Sequence, residues 1–147
     1  MTSERSSAED TAALVDVLFT FMPLVVSHVN ERLEPLDLTN PDQWALRTID
    51  TPMPMKELAR CMEFDPSYVT AVADRLEARG LIERQPNLTD RRVTNLVITA
   101  KGERLKKKLP DTLWSGETVF SSLSAAQRRQ LVEILESMIE ANRDPAS

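Results

Sequence analysis

Apolar residues recur at three- and four-residue spacing along most of this 147-residue chain, which predicts a succession of one-faced helices. Between residues 9 and 33, Leu14, Val17, Leu18, Phe21, Val25, Val29 and Leu33 share a face. Pro23 should bend that helix, because it removes a backbone donor and crowds the preceding turn. Asn40-Pro41-Asp42 has the form of a cap, a first-turn proline and a helpful acid, opening a short helix through Trp44, Leu46 and Ile49 that stops near Asp50. Thr51-Pro52-Met53-Pro54 cannot be helix interior and reads as a tight link. Met55, Leu58, Ala59 and Met62 give a third helix, followed by a turn at Glu63-Phe64. Asp65-Pro66 then caps a fourth helix, whose inner face is Val69, Val72, Ala73 and Leu76 and whose end is Gly80.

After Gly80 the helical period gives way to two strands, Leu81 to Gln85 and Val93 to Ile98, joined by the polar loop Pro86 to Arg92. Thr99 caps a long helix expected to run to about Ser121 with a kink at Pro110. Ser124 and Gln127 have the spacing of a capping box for a last helix striped by Leu131, Ile134, Leu135, Met138 and Ile139. The predicted fold is mainly α with one β-hairpin wing, and its middle is a winged helix-turn-helix lobe.

Composition narrows the chemistry. Hydrophobic residues make up 41% of the chain but aromatics only 5%, so the core must be aliphatic, and 3 Gly argue against an all-β sandwich or barrel. A lone cysteine, Cys61, excludes an internal disulfide framework and a Cys-rich zinc site, and a lone histidine, His28, excludes a multi-histidine centre. No metal and no cofactor are expected. Neither a glycine-rich phosphate loop nor a nucleophile beside a base is present, so an enzyme is not expected. The uncharged apolar run between Asp16 and Glu31 is shorter than a bilayer span. Glu4, Arg5, Glu9 and Asp10 precede it, where a signal peptide would be basic. The expectation is a cytoplasmic protein without a membrane partner.

The formal net charge of −5 hides a strong asymmetry. Residues 1–57 carry 4 basic and 10 acidic side chains, residues 58–108 carry 11 and 7, and residues 109–147 carry 3 and 6. A basic middle between acidic ends can present a cationic face to phosphates. Lys106, Lys107 and Lys108 read as a solvated face. On the fourth helix, subtracting the inner residues leaves Ser67, Tyr68, Thr70, Ala71, Asp74 and Arg75 outward. The first four sit at its N-terminal end, where a recognition helix meets base edges and where backbone N–H groups would face a phosphate. Arg91 and Arg92 at a hairpin tip have no packing reason to be there and suit an adjacent minor groove. Arg75 and Arg79 could instead pair with Glu77 or other helix acids.

The stretch Asp74-Arg75-Leu76-Glu77-Ala78-Arg79-Gly80-Leu81-Ile82-Glu83-Arg84 resembles the MarR family of bacterial transcription regulators. So do Asp90-x-Arg92, Ile98-Thr99, Gly102 and the earlier Met55-Lys56-Glu57-Leu58-Ala59, over about residues 53–105. The resemblance implies a homodimer in which the outer helices, 9–36 and 110–143, intertwine as a dimerisation domain around a winged DNA-binding domain at 40–105. Leu14, Leu18, Leu131, Leu135 and Met138 fit such an interface, since a large aliphatic surface on terminal helices needs a partner. It further implies a repressor on a near-palindromic operator, released by a small aromatic or phenolic effector. Ser67, Tyr68, Thr70, Ala71 and Arg75 become base or phosphate contacts, Arg92 the minor-groove arginine beside Arg91, and Asp90 the residue that orients the wing. The alternative is a winged helix used only for protein contacts, without DNA. His28 could line an effector pocket or be a satisfied helix-interface histidine; Met22, Trp44, Met53 and Trp114 could be pocket walls or core. Cys61, beside Met62, reads as a small buried hydrophobe rather than a redox switch.

Overall fold

A computed structural model describes residues 2–143, with side chains from residue 7 onward. Helix α1 (Thr2–Leu33) continues through Pro23 and is closed by a 3-10 turn at Glu34–Leu36, where Asp37 takes a left-handed φ of +52°. Helix α2 (Asn40–Thr48) is capped by Thr39 rather than Asn40. The reason is reciprocity. Thr39 Oγ1 accepts from the Asp42 N–H while the Asp42 carboxylate accepts from the Thr39 N–H at 2.8 Å. Asn40 instead accepts from Gln43 Nε2 at 2.8 Å.

The expected link after α2 contains a short strand, β1 (Met53–Pro54). Helices α3 (Met55–Met62) and α4 (Pro66–Ala78) follow, joined through Glu63 at φ +53°. Gly80 at φ +68° turns the chain into the hairpin of β2 (Ile82–Pro86) and β3 (Thr94–Ile98). The sheet has three antiparallel strands in the order β1-β3-β2, with Met53 opposite Leu96 and Ile82 opposite Ile98. Pro54 is tolerated because β1 is an edge strand.

Helix α5 (Ala100–Trp114) starts at the Thr99 cap but ends well before Ser121. Ser115 is already extended and Gly116 takes φ +75°, a left-handed step that halts the helix. Helix α6 (Ala125–Ala141) has the expected capping box of Ser124 and Gln127. The chain divides into two compact units at Ser115/Gly116.

The core of the first unit is aliphatic, as composition required. Leu33, Leu46, Ile49, Leu58, Met62, Val69, Val72, Leu76, Leu81, Ile82, Leu96 and Leu109 all lie within it. Gly102 is obligatory here: a Cβ would stand 2.0 Å from the Leu81 carbonyl oxygen and 2.7 Å from Ile98 Cγ1. Lys106 is not solvated as expected. Its ammonium donates to the Ile49 carbonyl at 3.2 Å and pairs with Asp50, closing the end of α2 against α5.

The α1 stripe is buried only at Val29 and Leu33; Leu14, Val17, Leu18, Phe19 and Met22 are exposed. On α6, Val132, Ile134, Leu135, Met138 and Ile139 are likewise exposed, while Leu131 is half-buried. Judged over the whole helical stretch rather than its uncharged run, Ser7–Leu36 is long and apolar enough to cross a membrane. Cys61 is exposed, contrary to expectation, because α3 turns Leu58, Ala59 and Met62 inward and leaves Cys61 on the opposite side.

Candidate nucleic-acid interface

Helix α4 buries Val69, Val72, Ala73 and Leu76, and this seating leaves Ser67, Tyr68, Thr70 and Ala71 exposed along its N-terminal half. Its first turn differs from the expected phosphate cradle. The Asp65 carboxylate accepts from the Ser67 N–H at 2.8 Å and from the Ser67 hydroxyl. The hydroxyl bond, followed by the backbone bond, holds Asp65 below the usual carboxylate range. The helix terminus therefore already carries its own anion, which disfavours a phosphate there. Thr70 Oγ1 donates to the Pro66 carbonyl at 2.9 Å. Tyr68 packs edge-on against Phe64 (centroids 5.3 Å apart), and Phe64 against Trp44 (5.6 Å). The face left for a groove is short and mostly uncharged.

Arg75 is placed differently from its expected DNA contact. Its Nη2 donates to Asp42 Oδ1 at 2.7 Å, and Asp42 is only 3% exposed. The other carboxylate oxygen accepts from Thr39 Oγ1 at 2.7 Å as well as from the Thr39 N–H. Arg79, one turn on, donates to the Leu36 carbonyl at 2.8 Å and to the Asp37 carbonyl. Neither arginine pairs with Glu77; that acid, with Asp74, holds Arg84 of β2. The hydrogen bond to Asp74 is the main cause of a raised Arg84 pKa. Arg75 of α4 and Arg79 at its C-cap thus fasten the helix to the junction of α1 and α2, along a groove of about 1030 Å³ between those elements.

The wing is internally braced. The Asn87 side-chain oxygen accepts from the Thr89 N–H (2.9 Å), the Asp90 N–H (3.1 Å) and the Thr89 hydroxyl (2.7 Å). Asp90 Oδ1 accepts from the Arg92 N–H at 3.0 Å and from Arg92 Nε at 3.1 Å, while Oδ2 accepts from Nη2 at 3.3 Å. Those bonds, the side-chain one first, lower the Asp90 pKa. The Arg92 side chain is nonetheless 90% exposed, and Arg91 beside it is exposed too. The Asp90 carboxylate thus fixes the direction of a guanidinium that stays open to solvent.

Of the five residues considered for an effector pocket, His28 and Trp114 come together while Met22, Trp44 and Met53 lie elsewhere. His28 stacks on Trp114 (centroids 5.4 Å apart, 21° between planes), and its Nε2 lies 2.8 Å from the Leu113 carbonyl. Trp114 walls a cavity of about 300 Å³ with Arg47, Lys106, Leu109, Pro110 and Leu113. Trp44 belongs to the Phe64–Tyr68 ladder, Met53 lies in β1 against the core, and Met22 is exposed on α1.

Sequence reading missed Asp42 as the anchor of α4. Its capping-box position was a local signal, but the partner lies 33 residues away. It also passed over Leu88, a lone large apolar residue in the polar wing loop, which is fully exposed.

Residues 38–94 match the MarR family model, a span that runs from the end of the α1–α2 junction to the start of β3. The chain is 27% identical over 132 residues to the HTH-type transcriptional repressor Rv2887 of Mycobacterium tuberculosis, covering 88% of this chain and 95% of that one. Over 49 residues it is 49% identical to the HTH-type transcriptional repressor MdtR of Bacillus subtilis, about one third of either protein. Among solved structures, the transcriptional regulator BldR of Sulfolobus solfataricus matches with a TM-score of 0.78 at 25% identity, over 91% of this chain and 97% of that one. CouR of Rhodococcus jostii RHA1, solved with p-coumaroyl-CoA bound, matches with a TM-score of 0.69 at 25% identity, over 83% and 88%. Together with the braced wing and the exposed face of α4, these matches show that the chain belongs to the MarR family of DNA-binding transcriptional regulators.

Proposed function

We propose that the chain is a repressor that binds a near-palindromic operator as a homodimer and is released by a small aromatic or phenolic effector. The observation that carries the DNA part is the pairing of an exposed α4 face with a wing arginine held outward by Asp90. Ser67, Tyr68, Thr70 and Ala71 enter the major groove, and Arg91 and Arg92 the neighbouring minor groove. Arg75 is a fastening of α4 rather than a contact, since Asp42 already holds it. Leu14 and Leu18 of α1 and Leu131, Leu135 and Met138 of α6 meet a second copy; the exposure of all but the half-buried Leu131 supports a partner of like composition. In this reading residues 9–36 and 110–143 serve dimerisation and residues 40–105 serve DNA, in the bacterial cytoplasm.

The effector site best supported is the cavity of about 300 Å³ beside Trp114, lined also by Leu109, Pro110, Leu113 and Arg47, with Lys106 already held by Asp50. CouR, with its bound p-coumaroyl-CoA, supplies a precedent for an aromatic acyl ligand on this fold. A ligand there works by favouring a conformation whose two recognition helices no longer match successive major grooves, about one helical turn apart.

Selection from random-sequence DNA, followed by fluorescence anisotropy at two salt concentrations, tests the reading. A sequence-selective complex that weakens steeply with salt is expected. Failure to enrich any sequence would leave the winged helix as a protein-binding module. Arg92→Ala should weaken binding and lower the salt slope by about one counterion per wing. Light scattering on the free protein should give a dimer, and the protein should stay in the supernatant when sedimented with lipid vesicles. Recovery of α1 in the vesicle pellet would mean that lipid covers its apolar face.

A further inference from the structure

We propose that Leu88 is an apolar wedge at the wing tip, set to enter the DNA minor groove beside Arg92; this rests on the DNA reading above. Leu88 is fully exposed, more so than any other large apolar side chain described, with Phe19 next at 76%. It sits in the 87–93 loop that joins β2 to β3, where Asn87, Thr89 and Asp90 are bonded within the loop itself. Asn87 closes the turn with three accepted hydrogen bonds, its N–H donates to the Val93 carbonyl at 2.9 Å, and the Val93 N–H donates to Asp90 at 2.9 Å. Asp90 fixes Arg92 in the same loop. The bracing that presents the guanidinium therefore presents the leucine as well.

Nothing within the fold explains the side chain, because a fully exposed leucine contributes no packing. Its surroundings specify the occupant. The cations three and four residues away, Arg91 and Arg92, draw the tip toward phosphates, while a branched aliphatic suits the apolar sugar edges and base faces of a narrow groove. Side chains of this kind wedge between base steps, where pyrimidine–purine steps unstack most readily. Arg92 then supplies attraction that depends on charge, and Leu88 supplies preference for deformable steps under the wing.

Leu88→Ser, Leu88→Met and the wild-type full-length chain are compared by anisotropy on the duplex recovered from random-sequence selection. The step under the wing, located by footprinting, is set as TA or as part of an A-tract, and a second duplex carries 2-aminopurine there. Leu88→Ser should bind about tenfold more weakly or worse, the loss expected when a leucine no longer leaves water. Its salt slope should stay at the wild-type value, since no phosphate contact is removed. The preference for TA and the 2-aminopurine signal of unstacking should both fall, while Leu88→Met keeps them. Because the side chain packs against nothing, thermal unfolding of Leu88→Ser should match the wild type, separating binding from folding. Wild-type affinity and step preference in Leu88→Ser would overturn the wedge and leave the DNA reading standing. If the wild type enriches no sequence at all, the DNA reading fails, and the wedge with it.

Discussion

Removing the Asp42 carboxylate should loosen the recognition helix without touching its outer face. Asp42 is buried, accepts two hydrogen bonds from Thr39, and receives the Arg75 guanidinium at 2.7 Å. In Asp42→Asn one oxygen becomes an NH2 group. If the remaining oxygen faces Arg75, the new N–H groups confront the Thr39 donors, and the reverse rotamer sets donor against donor at Arg75. Either arrangement leaves a buried donor unsatisfied, which costs about 1–3 kcal/mol. Breaking a fully buried pair costs about 3–5 kcal/mol, but the Arg75 side chain is 44% exposed, so water recovers part of its charge. A loss of ~2 kcal/mol is expected, or roughly 5–10 °C in Tm for a chain of this size. Denaturation of the single variants and of Asp42→Asn with Arg75→Met gives the coupling, which should exceed about 1 kcal/mol. Operator affinity should fall in Arg75→Met with an unchanged salt slope. Stability unaltered in Asp42→Asn, together with a slope lowered by about one in Arg75→Met, would refute the fastening and return Arg75 to the phosphates.

Gly102→Ala should cost more than ~3 kcal/mol, because the backbone of Leu81 blocks the new methyl; chemical denaturation would show a folded, near-wild-type protein if that packing were wrong. Leu135→Asp, at an exposed α6 position, should leave the monomer fold intact by circular dichroism yet abolish dimers in light scattering, and a persisting dimer would remove α6 from the interface. Bonds from Arg92 lower the Asp90 pKa, so this support of the wing is complete above the usual carboxylate range. It is lost only as pH falls through the depressed value, below the ordinary aspartate range. NMR titration of the Arg92 backbone amide should therefore show its inflection below the ordinary aspartate value, and one at or above it would mean that Asp90 does not hold the arginine.

The ends of α4 were legible because Asp65-Pro66 and Gly80 act locally, each fixing its own backbone conformation. Outward placement of Ser67, Tyr68, Thr70 and Ala71 followed from the same periodicity. The one-residue error at the α2 cap arose where Thr39 and Asn40 are both good caps, and only the reciprocal bond to Asp42 decides between them. β1 was invisible because two residues, one a proline, carry no alternation; pairing to β3 makes it a strand. The long-helix error came from extending a helical pattern past Gly116, whose positive φ is a stop signal of the same kind as Gly80. Side-chain commitments were the least legible. Arg75 with Asp42 and Lys106 with Asp50 join residues 33 and 56 positions apart, and composition alone read those cations as available.

β1 makes the connector between α2 and α3 an edge of the sheet from which the wing projects. On the DNA reading, the groove-reading helix and the wing are two prongs of a single gauge. The distance between the tracts they touch is set by protein backbone and cannot stretch to fit. Inserting one base pair between those tracts would shift one relative to the other by about 3.4 Å and turn it by roughly 34°, so both prongs could not seat together. Binding sites for such a chain can drift by base substitution, but insertions and deletions inside a half-site should be purged.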